Sequence, residues 1–100
     1  MRDPARLGRP DANHAQIVKY YEDLYCSVHD AHKLGFGFPD LVIGCSGLTE
    51  LAEVKTEDGD LLPSQETFRK SWRGSKIVIA RNLQDVVDHV QRMRAKQARI

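Results

Sequence analysis

Hydrophobic and polar positions follow two different periods along this chain. From Ala15 to Tyr25 the apolar residues Ile17, Val18, Tyr20, Tyr21, Leu24 and Tyr25 fall on one helical face. That predicts a first helix over about residues 13–25, with Asp11 or Asn13 placed to cap it. Cys26-Ser27-Val28-His29-Asp30 alternates small or apolar with polar and reads as a short strand. After the breaker cluster Gly35-Phe36-Gly37-Phe38-Pro39 comes Asp40-Leu41-Val42-Ile43-Gly44-Cys45, a nearly continuous apolar run. Ser46-Gly47 then joins it to Leu48-Thr49-Glu50-Leu51-Ala52-Glu53-Val54-Lys55, which makes a β-hairpin. The first of these strands is apolar on both faces, as in a sheet covered by helices on each side.

Thr56 to Leu62 is polar, acidic and interrupted by Gly59, so it reads as a loop. Pro63 suits the first turn of a helix that runs to Trp72 and ends at Arg73-Gly74-Ser75. Lys76-Ile77-Val78-Ile79-Ala80 is a clear strand. Leu83, Val86, Val87, Val90 and Met93 recur at helical spacing in a last helix that starts at Asn82 or Asp85. The order helix, strand, strand, strand, helix, strand, helix predicts an α/β fold: a mixed β-sheet flanked by helices on both faces. Its strand–helix–strand step suits a parallel pair.

One hundred residues suffice for one domain. Residues 1–12, with Gly8 and two prolines, read as a flexible arm, residues 13–93 as the domain, and residues 94–100 as a basic tail. No apolar run approaches the roughly 20 residues of a membrane-spanning helix, so no membrane partner is expected. Met1-Arg2-Asp3-Pro4 lacks the apolar segment of a secretory signal. Two cysteines make no disulfide framework, which favours a reducing, cytoplasmic setting. The formal net charge of +1 hides an asymmetry. Residues 40–66 carry one basic and seven acidic side chains, whereas residues 69–100 carry nine basic and two acidic. Such a pair of segments suits a protein that handles both a cation and a polyanion, although solvated surface is the plainer reading of charge alone.

Three ionisable residues interrupt apolar strands. Asp40 opens one strand, and Glu53 and Lys55 lie two apart on its partner, hence on one face. A short hairpin brings Asp40 to the far end of the second strand, where all three converge. Two adjacent buried carboxylates call for a cation, and hard oxygen ligands suit Mg²⁺ or Mn²⁺. The backbone carbonyl of Val54 offers a further ligand. A metal there would activate water for attack on phosphorus, with Lys55 orienting that water or stabilising the developing charge.

The run Gly37-Phe38-Pro39-Asp40-Leu41-Val42, then Glu53-Val54-Lys55, then Gln65 on a following helix resembles the PD-(D/E)XK nuclease superfamily. Within it the chain is most similar to the virus-type replication-repair nuclease (VRR-NUC) group of small phage and bacterial proteins. Asp11-Ala12-Asn13-His14-Ala15-Gln16-Ile17-Val18 resembles their opening helix, and Leu61 to Gln65 and Ser71 to Gly74 resemble a later helix and its exit. The resemblance implies a restriction-endonuclease-like fold and a metal-dependent DNA endonuclease acting on branched or flapped DNA. It makes Asp40 and Glu53 metal ligands, Lys55 the catalytic lysine and Gln65 a residue supporting the site. Family members often carry a Glu on the first helix; the matching position here is Gln16, which makes it an outer participant with no charge. The rival expectation is a nuclease fold that binds nucleic acid or a protein partner without turnover.

Lys33, Arg69, Lys70, Arg73 and Lys76 are the expected DNA contacts, giving affinity without base readout. A domain this small grips a duplex poorly alone, so a homodimer is expected. Cys26, His29 and His32 make a C-x-x-H-x-x-H pattern, but in an extended segment Cys26 and His29 point to opposite faces. His14 and His32 read as surface positions, His32 within reach of a phosphate at the active edge. Phe68 and Trp72 read as core packing, and Tyr20, Tyr21 and Tyr25 as core or interface residues.

Overall fold

The computed structural model describes residues 11–99, so most of the expected arm lies outside the described residues. Helix α1 (His14–Asp23) is followed by β1 (Ser27–Asp30), a short 3₁₀ turn (His32–Leu34), the hairpin strands β2 (Leu41–Cys45) and β3 (Leu48–Val54), α2 (Pro63–Ser71), β4 (Val78–Ala80) and α3 (Leu83–Ala98). The strands form one mixed sheet in the order β1-β2-β3-β4. β1 and β2 are antiparallel, as are β2 and β3, while β3 and β4 run parallel across the α2 connection. This is the expected α/β fold.

The two-residue hairpin turn puts Ser46 and Gly47 at φ 55° and 80°. Positive φ at both central residues matches the twist of the flanking strands. α1 stops where Tyr25 adopts φ 67°, and Arg94 of α3 donates from Nη2 to the Leu24 carbonyl at 2.6 Å, satisfying one group of that helix end. The left-handed turn aims Tyr25 into solvent, 91 % exposed, so of its two expected places the core is excluded. Tyr21, four residues earlier, is fully buried.

Alternation along the strands divides the sheet. Leu41, Ile43 and Cys45 of β2 with Ala52 and Val54 of β3 face α1 and α3, where they pack with Ile17, Tyr21, Val86, Val90 and Met93. α2 lies on the opposite face, with its Gln65 bonded to Glu53. None of α2's nine residues is buried, so the second face is only lightly covered. Helices thus stand on both faces, but the core is on one side. Phe68 packs between Phe38 (ring centroids 5.4 Å) and Trp72 (5.5 Å), the latter still 42 % exposed.

The tail expected from Arg94 is instead the last turn of α3, which runs to Ala98. No Gly or Pro interrupts Met93-Arg94-Ala95-Lys96-Gln97-Ala98, all good helix formers. Lys96 anchors the extension by donating to Glu50 Oε2 at 2.7 Å.

Candidate active site

Leu41 pairs with Ala52 in the antiparallel register, so one further step along each strand sets Asp40 opposite Glu53. Both side chains therefore leave the core and turn toward the α2 face. Asp40, Glu53 and Lys55 are nonetheless buried, at 9 %, 2 % and 6 % exposure. Asp40 is fixed from two sides: its Oδ2 accepts the Val54 N–H at 2.9 Å, and its carbonyl accepts the Ala31 N–H at 2.6 Å. Lys55 leaves β3 with its N–H donated to the Ala80 carbonyl at 3.1 Å. The sequence-predicted trio is brought together at one end of the sheet.

Burial pushes Glu53 well above the ordinary carboxylate range, the hydrogen bond and charge of Asp40 push it further, and Lys55 acts against them. The charge of Asp11 adds to the same rise. Asp11 is itself raised by burial, with Lys55 lowering it and Asp40 raising it. Asp11 was legible only as a helix cap, yet it stands as a third acid at this end. Asn13 explains why: its Nδ2 donates to the carbonyls of Lys55 (3.0 Å) and Arg81 (3.1 Å), stapling the start of α1 to the ends of β3 and β4. Three carboxyl groups beside one ammonium are unfavourable unless protons or a cation compensate them. The donor set, carboxylate oxygens in a buried pair, fits a hard divalent cation such as Mg²⁺ or Mn²⁺.

Gln65 enters from the first turn of α2. Its Nε2 donates to Glu53 Oε2 at 2.8 Å, while its Oε1 accepts the Leu62 N–H at 2.8 Å. The second bond is one half of a capping box, so the cap of α2 and the support of Glu53 share one amide. The glycine-rich loop is seated on the same turn. A Cβ on Gly37, at φ +86°, would fall 2.2 Å from the Ser64 carbonyl oxygen. Only glycine allows that approach.

Other expected site residues behave differently. Gln16 is exposed on α1 and makes none of the side-chain hydrogen bonds of this site. Val54 contributes its N–H, to Asp40. Lys33 is exposed on the 3₁₀ turn, and Lys70, Arg73 and Lys76 are exposed at and beyond the far end of α2. Arg69 is half-buried and donates from Nη1 to the Ile77 carbonyl at 2.7 Å, tying α2 to the strand before β4. Arg69 and Lys76 line a groove of about 580 Å³ along β4, together with Arg92 and Lys96 but also Glu50, Asp85 and Asp88. Its charge is mixed rather than basic. Arg81 is committed to the acidic loop, donating to the carbonyls of Thr56 (2.7 Å) and Gly59 (2.6 Å).

Comparison with protein-family models, with curated proteins and with solved structures returns no significant match. No helix among the described residues is long and apolar enough to cross a membrane.

Proposed function

We propose that this chain is a metal-dependent DNA endonuclease that hydrolyses phosphodiester bonds, of the kind its resemblance to the VRR-NUC group implies. The observation that supports this most is the burial of Asp40 beside Glu53, with Lys55 on the same strand face and Asp11 close by. Nothing in the packing of a small domain calls for such a group, because buried carboxylates without compensation are costly. Asp40 and Glu53 would hold Mg²⁺ or Mn²⁺, with the Val54 carbonyl as a further ligand. Such an ion, when bound, neutralises charge on the phosphate and supplies a water of lowered pKa. Lys55 orients that water and stabilises charge on the phosphoryl oxygens. Gln65 fixes the Glu53 carboxylate, and Asp11 fills the role that Gln16 lacks.

Lys33, Lys70, Arg73 and Lys76 would contact the phosphate backbone, with Arg69 as a partial contributor. Two sites in a homodimer would suit cutting both strands of branched or flapped DNA, in the cytoplasm of a bacterial cell or a phage-infected host. The test is incubation of the purified protein with supercoiled, flapped and four-way DNA in Mg²⁺ or Mn²⁺. Wild type should cleave, while Glu53→Ala and Lys55→Ala should each lose about 10³-fold or more, the scale of removing a group that acts on the transition state. Cleavage that survives both substitutions would sink the assignment. DNA binding without cleavage would favour the non-catalytic reading. Affinity should fall steeply between 50 and 200 mM salt, in line with counterion release.

A further inference from the structure

A second cluster lies around the start of α1. His14 Nε2 meets Asp30 Oδ2 at 2.8 Å, and His32 Nδ1 meets Asp30 Oδ1 at 2.6 Å. The two imidazole rings stand edge to face with centroids 5.0 Å apart. Asp30 also accepts the His32 N–H at 3.0 Å, which fixes the 3₁₀ turn under it. One ligand atom from each of the three side chains lies within 4.8 Å of the others. The sequence concealed this trio, because its members come from α1, the end of β1 and the 3₁₀ turn. The local C-x-x-H-x-x-H pattern pointed at the wrong partners: Cys26 is buried in the core, and His29 pairs in register with Val42, away from the Leu41 side.

The geometry points to His14, Asp30 and His32 as a binding site for one divalent transition-metal ion, Zn²⁺ in the first instance. Two imidazoles and one carboxylate are the donors of borderline ions, and three protein ligands leave a position for water. Zn–N and Zn–O bonds of about 2.0–2.2 Å need donor atoms roughly 3–3.5 Å apart, within reach of small side-chain rotations from the present spacing. The His14 side chain is 9 % exposed, and its Nδ1 is buried with no hydrogen-bond partner. Nε2 is therefore the ring nitrogen open to an outside ligand, and it already points at Asp30 Oδ2.

This site opens on the other face of the sheet from Asp40 and Glu53, with Asp11 standing between them: its carbonyl accepts the His14 N–H at 3.0 Å, and both Lys55 and His14 lower its pKa. Asp30 is the register partner of Leu41, which faces the core helices, whereas Asp40 and Glu53 turn to the α2 face. Yet it borders the same loop: the His32 turn leads into Gly35 to Pro39 and then Asp40. A metal here would brace α1, β1 and that loop against one another. The inference does not depend on the nuclease reading.

The experiment uses untagged, metal-stripped protein titrated with Co²⁺, followed by its visible d–d absorption, and then with Zn²⁺ by calorimetry. Both titrations are run in the Asp40→Asn/Glu53→Gln background, where the carboxylate pair does not compete for the ion, and one equivalent should bind there. His32→Ala and Asp30→Asn, both at partly exposed positions, should each weaken binding at least ten-fold while the circular dichroism spectrum is kept. Absence of binding at micromolar Co²⁺ and Zn²⁺ would overturn the site and leave a hydrogen-bonded clasp. So would binding that survives His32→Ala and Asp30→Asn, binding that disappears with the Asp40/Glu53 pair, or a thiolate charge-transfer band assigning the ion to Cys26 or Cys45.

Discussion

Gln65 Nε2 donates to Glu53 Oε2 at 2.8 Å across the open face of the sheet. The same amide accepts the Leu62 N–H through Oε1, so the Glu53 carboxylate is positioned by the mouth of a helix rather than by its own strand alone. Replacing Gln65 by Ala removes both bonds. Cleavage should then fall about 10–100-fold, as when outer partners of metal ligands are removed, and less than in Glu53→Ala. Initial rates at saturating Mg²⁺ measure it. A rate loss equal to that of Glu53→Ala would make Gln65 a reacting group rather than a support.

Asp11 and Gln16 stand differently toward the carboxylate pair than their sequence positions suggest. Gln16 sits on the expected helix but faces solvent, whereas Asp11 precedes the helix and has its charge felt at Glu53. Asp11→Asn should lower cleavage about 10-fold or more and raise the Mg²⁺ concentration needed for half-maximal rate, since one negative charge leaves the site. Gln16→Ala should change neither quantity. Metal titrations of the cleavage rate in the two variants separate the cases, and an effect of Gln16→Ala as large as that of Asp11→Asn would contradict the placement.

Much of this arrangement was legible in advance, and the reasons are physical. Residues 40–55 declare a hairpin through a two-residue turn, and strand periodicity then forces Asp40, Glu53 and Lys55 to one face and one end. Pro63 marks the start of the helix that carries Gln65, while the supporting role of Gln65 is implied only by the resemblance to the nuclease superfamily. Asp11 and the His14–Asp30–His32 trio were not legible, because each depends on how α1 docks against the sheet. That docking is set by Asn13 reaching the Lys55 and Arg81 carbonyls, a contact between residues 42 and 68 apart in the chain. The end of α3 was misread because a run of basic residues resembles a solvated tail. Lys96 bonding to the buried Glu50 makes it structure instead.

Gly37 and Gly47 share a left-handed backbone but differ in surroundings, which makes them a matched pair. At Gly47, φ +80°, an added Cβ meets nothing within 4 Å. At Gly37, φ +86°, it would meet the Ser64 carbonyl at 2.2 Å, a backbone atom that cannot turn aside. Gly47→Ala should cost about 1 kcal/mol, the backbone term alone. Gly37→Ala should cost about 3 kcal/mol or more and shift α2 away from Glu53, because the clash adds to that term. Urea denaturation of both variants tests the difference, and equal costs would show that the loop yields without disturbing α2.

The buried Tyr21–His89–Glu50–Lys96 chain makes stability depend on pH. Tyr21 Oη lies 2.7 Å from His89 Nδ1, and His89 Nε2 lies 2.8 Å from Glu50 Oε1. A neutral imidazole serves both contacts, accepting the tyrosine O–H and donating to the carboxylate. Burial lowers the His89 pKa from its usual 6.5, against the hydrogen bond and charge of Glu50, with Arg92 and Lys96 lowering it further. Burial would raise Glu50, but hydrogen bonds from Lys96 and His89 reverse this and hold it below 4.5. Both groups therefore bind protons less readily in the folded chain than in the unfolded one. The contribution of these two groups is full above about pH 6.5, falls as the unfolded histidine takes up its proton, and falls again below about pH 4.5 as unfolded Glu50 does the same. Glu53, raised by burial, works in the opposite sense, because the folded chain holds a proton there that the unfolded chain releases above about pH 4.5. Glu53 titrates alike in wild type and in His89→Gln, so the comparison of the two isolates the ring. His89→Gln should be less stable than wild type at pH 7.5, with the gap in urea midpoint narrowing as pH falls from 6.5 to 5. A gap that stays constant or widens over that interval would remove His89 as its source.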